Sequence, residues 1–286
     1  MATREPTPVA PAVRDWIVAQ VQAGATPEAV VGPLVEQGWD QQLAIDTVEV
    51  VVRGFLAEHA RANALPEPVV VPAPVECNGA GLLHVDGQRI TVLANLQHPR
   101  VIVFGNVLSD GECDALVEFA RPRLRRSAVV NADTGEDEIH EARTSQSVGL
   151  VRGQTPLCER IERRLASLLQ WPYERGEGLM LLRYGVGAEY RPHYDYFDPA
   201  RSGNAGILRR GGQRVATLVM YLNTPARGGA TIFPDVGFEA AAVKGNAVFF
   251  SYDRPHPMTR SLHGGAPVLE GEKWVATKWL RERHHE

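Results

Sequence analysis

Arg191-Pro192-His193-Tyr194-Asp195-Tyr196-Phe197 is the stretch on which the reading of this chain turns. Its aromatic residues are β-formers, so it reads as a strand. Alternate residues of a strand project to one face, which places His193 and Asp195 side by side. An imidazole and a carboxylate on one face are two members of the 2-His-1-carboxylate triad that holds non-haem Fe(II) and leaves coordination positions open. The third ligand should come from a distant strand on the opposite sheet. His263, in Ser261-Leu262-His263-Gly264-Gly265, sits just ahead of the final strand and is the candidate. His256 lies between two prolines and reads as a loop residue. His140 falls in an acidic loop, and His284 and His285 in a charged tail.

Downstream comes Gly271-Glu272-Lys273-Trp274-Val275-Ala276-Thr277-Lys278-Trp279, with Lys273 ten residues beyond His263. Lys273 opens a strand rich in β-formers. A lysine at the mouth of a buried strand is costly unless an anion pairs with it, and the distal carboxylate of 2-oxoglutarate would be such a partner. The alternative is a rim lysine in solvent, the position expected of Lys278 on the same strand.

Outward from these segments, almost everything beyond Gly178 is strand-like: Leu179 to Tyr184, Val215 to Leu222, Ala230 to Phe233, Ala247 to Tyr252 and Lys273 to Leu280. Gly and Pro punctuate them. Upstream, Asp86-Gly87 between apolar runs signals a hairpin within Leu82 to Leu93. Val101 to Leu108 reads as a strand. Ser109-Asp110-Gly111-Glu112 is a capping box opening a helix to about Phe119, and Pro156 to Leu169 is a second amphipathic helix. The expected fold class is mainly β with flanking helices, an antiparallel double-sheet jelly roll.

The first sixty residues differ in character. Apolar residues from Val13 to Phe55 recur at helical spacing, Gly24 and Gly38 mark stops, and Thr26-Pro27-Glu28 is an N-cap followed by Pro at the first helical position. Three short helices follow. The Gly38-Trp39 turn resembles that of ubiquitin-associated-type three-helix modules; the favoured expectation is a bundle that packs on the main domain or docks a protein partner. Four prolines in Leu65 to Pro74 forbid helix or central strand. The expected organisation is a helical module over 1–62, a Pro-rich linker over 63–78 and a catalytic domain over 79–286.

The chain is 286 residues long, 44% hydrophobic, with a formal charge of −4. That balance exerts no global pull toward nucleic acid. Arg121 to Arg126 is locally basic and reads as a solvated helix end. Cys77, Cys113 and Cys158 are odd in number and widely spaced, so no disulfide framework is expected. Met1 to Pro11 lacks a basic-then-apolar signal pattern, and no apolar run reaches membrane-spanning length. A cytoplasmic protein that meets neither nucleic acid nor membrane is expected.

Residues Arg143 to Trp279 resemble the catalytic core of prolyl 4-hydroxylases of the collagen, plant and bacterial type. The strings that carry the resemblance are Arg143-Thr144-Ser145, Leu182-Arg183-Tyr184-Gly185, Tyr190 through Phe197, Gly212 through Thr217 and Met220 through Asn223. Gly228 through Pro234, Lys244 through Ala247, Ser261 through Gly265 and Gly271 through Trp279 complete it, in order and with compatible spacing. The resemblance implies a double-stranded β-helix that uses Fe(II), O2 and 2-oxoglutarate, with L-ascorbate as an accessory. It matches His193, Asp195 and His263 to iron ligands, and Lys273 to the partner of the distal carboxylate. Tyr184 and Thr231 match neighbours of that co-substrate, and Arg143, Ser145, Glu177, Tyr190 and Arg214 match positions tied to peptide binding or catalysis.

Peptidyl-proline 4-hydroxylation of a protein or peptide is the activity implied, by oxidative decarboxylation of 2-oxoglutarate to succinate and CO2. The alternatives are a hydroxylase of another residue, a free amino acid or a small metabolite, and a non-enzymatic binding module that keeps the barrel. Asp195 favours hydroxylation, because related halogenases lack the carboxylate. Lys273 counts against nucleic-acid dealkylation, where arginine usually takes the co-substrate carboxylate. One departure is Arg281, where the family often carries His; arginine always keeps its charge.

Overall fold

The computed structural model describes residues 9–74, 81–131, 133–138 and 140–285. Cys77, the end of the expected linker (75–78), the first residues of the expected catalytic domain (79–80) and residues 1–8 lie outside the described residues. The chain divides into two compact units, Met1–Glu67 and Pro68–Glu286.

Unit one holds α1 (Pro11–Gln22), α2 (Pro27–Glu36) and α3 (Gln41–Ala62). Local chemistry sets their ends. The Thr26 hydroxyl accepts from the Ala29 N–H ahead of α2, and the Asp40 carboxylate accepts from the Leu43 N–H ahead of α3. Gly24 and Gly38 adopt the left-handed backbone that stops a helix. Ile17, Val30, Leu34, Ala44, Val48 and Val51 meet in its core.

Unit two begins with residues 68–74, part of the expected linker, and here the structure corrects the expectation. The Val69 N–H donates to the Asp253 carbonyl at 2.7 Å, Val69 and Val71 pack against the core, and Pro72 and Pro74 are buried. Proline-rich backbone cannot join a ladder, but its apolar rings still gain by leaving water. The segment is a packed strap.

Then come β1 (Leu82–Val85), β2 (Gln88–Leu96), β3 (Arg100–Gly105) and α4 (Asp110–Ala120). Asp86 and Gly87, both at positive φ, form the tight turn between β1 and β2. Ser109 and Glu112 complete the capping box at the start of α4. Four short strands follow: β4 (Arg125–Arg126), β5 (Val129–Val130), β6 (Asp137–Glu138) and β7 (Gln146–Gly149). Arg121, Arg123, Arg125 and Arg126 are exposed, as expected of a solvated run.

Next are α5 (Pro156–Leu169), β8 (Met180–Tyr184), β9 (Tyr190–His193) and α6 (Asn204–Gly211). The chain continues through β10 (Arg214–Tyr221), β11 (Arg227–Gly228), β12 (Thr231–Phe233), β13 (Phe238–Ala240) and β14 (Ala247–Ser251). It closes with β15 (His263–Gly265), β16 (Val268–Glu270) and β17 (Lys273–Arg281).

Two antiparallel sheets dominate. One has nine strands in the order β1-β2-β3-β14-β10-β17-β8-β7-β4; the other has four, β13-β12-β15-β9. The large sheet has a different cover on each face. Trp274, Ala276 and Leu280 of β17 belong to the core that includes Leu116 of α4 and Ile161, Leu165 and Leu168 of α5. Val275 belongs to a second core with Tyr184, Tyr221, Phe233 and Phe250, strands of both sheets. This is the double-stranded β-helix with flanking helices.

Candidate active site

β9 and β15 bring the first two donors together. His193 and His263 are direct cross-strand partners. The structure corrects two expectations here. His263 comes from the neighbouring strand of the same small sheet, not from the opposite sheet. Asp195 lies past the end of β9, in a bend, yet its carboxylate still turns toward the histidines.

The geometry is tight. His193 Nε2 lies 3.4 Å from Asp195 Oδ1, and His263 Nε2 lies 3.4 Å from Asp195 Oδ2. All three ligating atoms fall within 4.8 Å of one another. Each imidazole is oriented in the same way: His193 Nδ1 meets the Arg191 carbonyl at 2.9 Å, and His263 Nδ1 meets the Ser261 carbonyl at 3.0 Å. A carbonyl only accepts, so Nδ1 carries the proton and Nε2 of the neutral ring is a bare lone pair. Burial pushes the His263 imidazolium down to about 4, so that ring is neutral at pH 7. Burial would raise Asp195, but at the acid pH where His263 becomes charged, the positive charge of the adjacent histidines outweighs this and holds the carboxyl well below the usual carboxylate range, so it is ionised at pH 7. The result is a buried carboxylate facing imidazole lone pairs. Such a cluster of acceptors is stable around a cation, and two nitrogens with one oxygen suit Fe(II).

Thr217 and Tyr252 extend the cluster. The Thr217 hydroxyl donates to Asp195 Oδ2 at 2.6 Å and lies 2.9 Å from the Tyr252 hydroxyl. Neither residue was singled out from the sequence. The usable signal was strand parity, because Thr217 on β10 sits opposite Trp279 on β17, six residues along from Lys273.

The triad lines a cavity, and Lys273, Tyr184, Thr231, Arg143 and Tyr190 line it too. Lys273 is 3% exposed. Burial alone pulls its ammonium down to about 8, and among the described residues no carboxylate pairs with it. Its Nζ stands 5.4 Å from the Tyr184 ring and 5.7 Å from the Tyr221 ring. Thr231 accepts a 2.7 Å hydrogen bond from the Tyr221 hydroxyl. Arg143 is buried, spends one N–H on the Ala128 carbonyl and stands 4.9 Å over the Tyr190 ring, which itself stacks on His193.

The other sequence candidates do not line the cavity. Ser145 is fully buried, 2.8 Å from the Ser127 hydroxyl. Glu177 and Arg214 form a two-pronged ion pair at 2.7 and 2.8 Å, and Arg281 adds a third contact to Glu177 at 3.1 Å. Burial acts against the Glu177 carboxylate, but the two guanidiniums hold it down to about 2. Arg214 reaches the cavity only through Trp279, over whose ring it lies at 4.0 Å. His256 caps a single helical turn through the Met258 N–H and takes no part in the cluster.

Lys278 is the main correction. It is 2% exposed, not solvated; it pairs with Glu162 of α5 at 2.6 Å and donates to the Glu177 carbonyl. Its parity is opposite to that of Lys273, but the helix layer covers that face too.

Residues 179–281 match the family model for the 2OG-Fe(II) oxygenase superfamily. Prolyl 4-hydroxylase 1 of Arabidopsis thaliana is 42% identical over 203 residues, 65% of this chain and 70% of its own length. Prolyl 4-hydroxylase 2 of the same plant is 38% identical over 207 residues, 64% of this chain and 67% of its own. A solved viral collagen prolyl hydroxylase from Paramecium bursaria Chlorella virus-1, in complex with 2-oxoglutarate, aligns with a TM-score of 0.49 and 27% identity, over 63% of this chain and 95% of that one. The chain therefore belongs to the prolyl 4-hydroxylase family of Fe(II)- and 2-oxoglutarate-dependent dioxygenases.

Proposed function

We propose that this enzyme hydroxylates proline in a protein or peptide, with His193, Asp195 and His263 as the iron ligands and Lys273 as the partner of the distal 2-oxoglutarate carboxylate. The observation that carries the reading is one cavity lined both by the three-donor cluster and by a buried lysine that, among the described residues, no carboxylate pairs with. Lys273 is the group that would neutralise the distal carboxylate of 2-oxoglutarate, and the three donors are the ones that would hold the iron. Bound iron supplies the oxidising chemistry, converting O2 and 2-oxoglutarate to succinate and CO2 as a C–H bond is hydroxylated. The chain orients the donors, closes one side of the cavity with Tyr184 and Thr231, and presents Arg143 and Tyr190 to a substrate backbone. L-Ascorbate is proposed as an accessory reductant. Buried free thiols at Cys113 and Cys158 support a reducing, cytoplasmic setting. Among the described residues, no helix is long and apolar enough to cross a membrane. Leu43, Val50 and Leu56 of α3 are more than half exposed, which supports a partner-docking role for the helices.

A second reading, hydroxylation of a free amino acid or small metabolite, is favoured by one observation. Glu177 and Arg214, expected at a peptide site, are engaged with Arg281. Mass spectrometry of a proline-containing peptide library incubated with enzyme, Fe(II) and 2-oxoglutarate decides between them. The proline reading requires a gain of one oxygen on proline with matching succinate. A mass gain confined to small molecules overturns it.

A further inference from the structure

We infer that Thr217 is a positioning residue for Asp195, fixing the orientation in which that carboxylate meets the metal, and that Tyr252 sets the direction of the Thr217 proton. The inference rests on the reading of His193, Asp195 and His263 as ligands. A hydroxyl has one proton to donate. Thr217 Oγ1 touches a carboxylate at 2.6 Å and a phenol at 2.9 Å. An ionised carboxylate only accepts, so the Thr217 proton goes to Asp195 Oδ2, and the Tyr252 hydroxyl must donate to Thr217. The chain of donors runs one way, from Tyr252 through Thr217 to Asp195.

All three groups are buried: Thr217 is 1% exposed, Tyr252 2% and Asp195 8%. With both partners buried, the short bond restrains the carboxylate plane. With Oδ2 taking the hydroxyl, Oδ1 is left as the unengaged oxygen beside His193 Nε2. Thr217 also lines the cavity, on the central strand β10 between β14 and β17, where it has little freedom to move.

The test uses Co(II), a spectroscopic substitute for iron, with the full-length protein and its visible absorption and calorimetric affinity. Thr217→Val removes the hydroxyl at constant shape. It is expected to weaken Co(II) binding by roughly tenfold to a hundredfold, the usual effect of losing a hydrogen bond to a ligand, and to change the cobalt absorption bands. Thr217→Ser, which restores the hydroxyl, should recover wild-type affinity and spectrum. Tyr252→Phe should fall between. A folded Thr217→Val protein with wild-type affinity and spectrum overturns the inference, as does a Ser variant as weak as Val. If Thr217→Val does not fold, Tyr252→Phe decides, and a wild-type spectrum there overturns it. His263→Ala separates this from the underlying reading: if it too binds Co(II) normally, the ligand assignment itself has failed.

Discussion

Lys273 and Lys278 lie on opposite faces of β17, and both are buried: the first lines the cavity with no counter-ion among the described residues, the second is locked to Glu162 of α5. One strand thus holds two ammonium groups with opposite roles. The unpaired one is available to a ligand, and the paired one belongs to the fold.

Lys273→Ala should weaken apparent 2-oxoglutarate affinity. Removing one partner of a desolvated charge pair costs on the order of 2–5 kcal/mol, which is roughly thirtyfold to several-thousandfold. Metal affinity should hardly change. Lys273→Arg should fall between, since charge persists but shape does not. Succinate formation against 2-oxoglutarate concentration measures this; unchanged affinity in Lys273→Ala removes the lysine from the co-substrate site.

The same lysine sets a pH dependence with two opposite signs. In the empty site it titrates at about 8, below its ordinary 10.5, because of burial. Raising the pH through 8 discharges it, so 2-oxoglutarate affinity should fall. The unfolded chain keeps that proton up to its higher pKa, so over the same range the ligand-free fold should gain stability. Lys273→Arg should flatten both trends. Calorimetric binding and denaturant titrations from pH 7 to pH 10 would show them, and affinity independent of pH would refute the assignment.

Lys278→Ala should destabilise the protein by about 3–5 kcal/mol, because it strands Glu162 as a buried unpaired charge. Pairing Lys278→Met with Glu162→Gln should recover much of the loss. Urea unfolding reads both. A neutral Lys278→Ala would place that lysine back in solvent.

His193→Ala, Asp195→Ala and His263→Ala should each abolish 2-oxoglutarate turnover while far-UV circular dichroism stays native. His256→Ala should retain turnover, since its ring only caps a turn. Any triad variant with near-normal turnover removes that residue from the ligand set.

Residues 68–286 should fold and consume 2-oxoglutarate without the helices, because the core of each unit is its own. A cut at 79 should be less stable, since it removes Val69, Val71, Pro72 and Pro74 from their packing. Equal thermal stability of the two truncations would contradict the packed strap.

Legibility in the sequence followed the range of the interactions. Two helix starts were readable because caps act within four residues: Thr26, and Ser109 with Glu112, pair with their own helix starts, whereas the Asp40 and Thr155 caps went unread. The His-x-Asp pair was readable because its geometry is local. Strand parity separated Lys273 from Lys278 correctly, but parity says only which face a residue takes, not what covers it. The cover over Lys278 is Glu162, 116 residues away, and nothing near Lys278 announces it. The pairing of Arg281 with Glu177, across 104 residues, was hidden for the same reason. The short helix α6 was missed because Gly206 and Gly211 dilute its apolar pattern.

The cross-strand pairing of His193 with His263 has a kinetic side. The two residues are 70 positions apart in the chain, so the metal site exists only after a long loop has closed and β9 has found β15. A metal that needs both histidines in place recognises only a chain in which that pairing has formed. It acts on the finished protein, raising stability by mass action and slowing unfolding while leaving the folding rate nearly unchanged. Iron loading would then determine how long each molecule lasts, and would have little influence on how readily it forms.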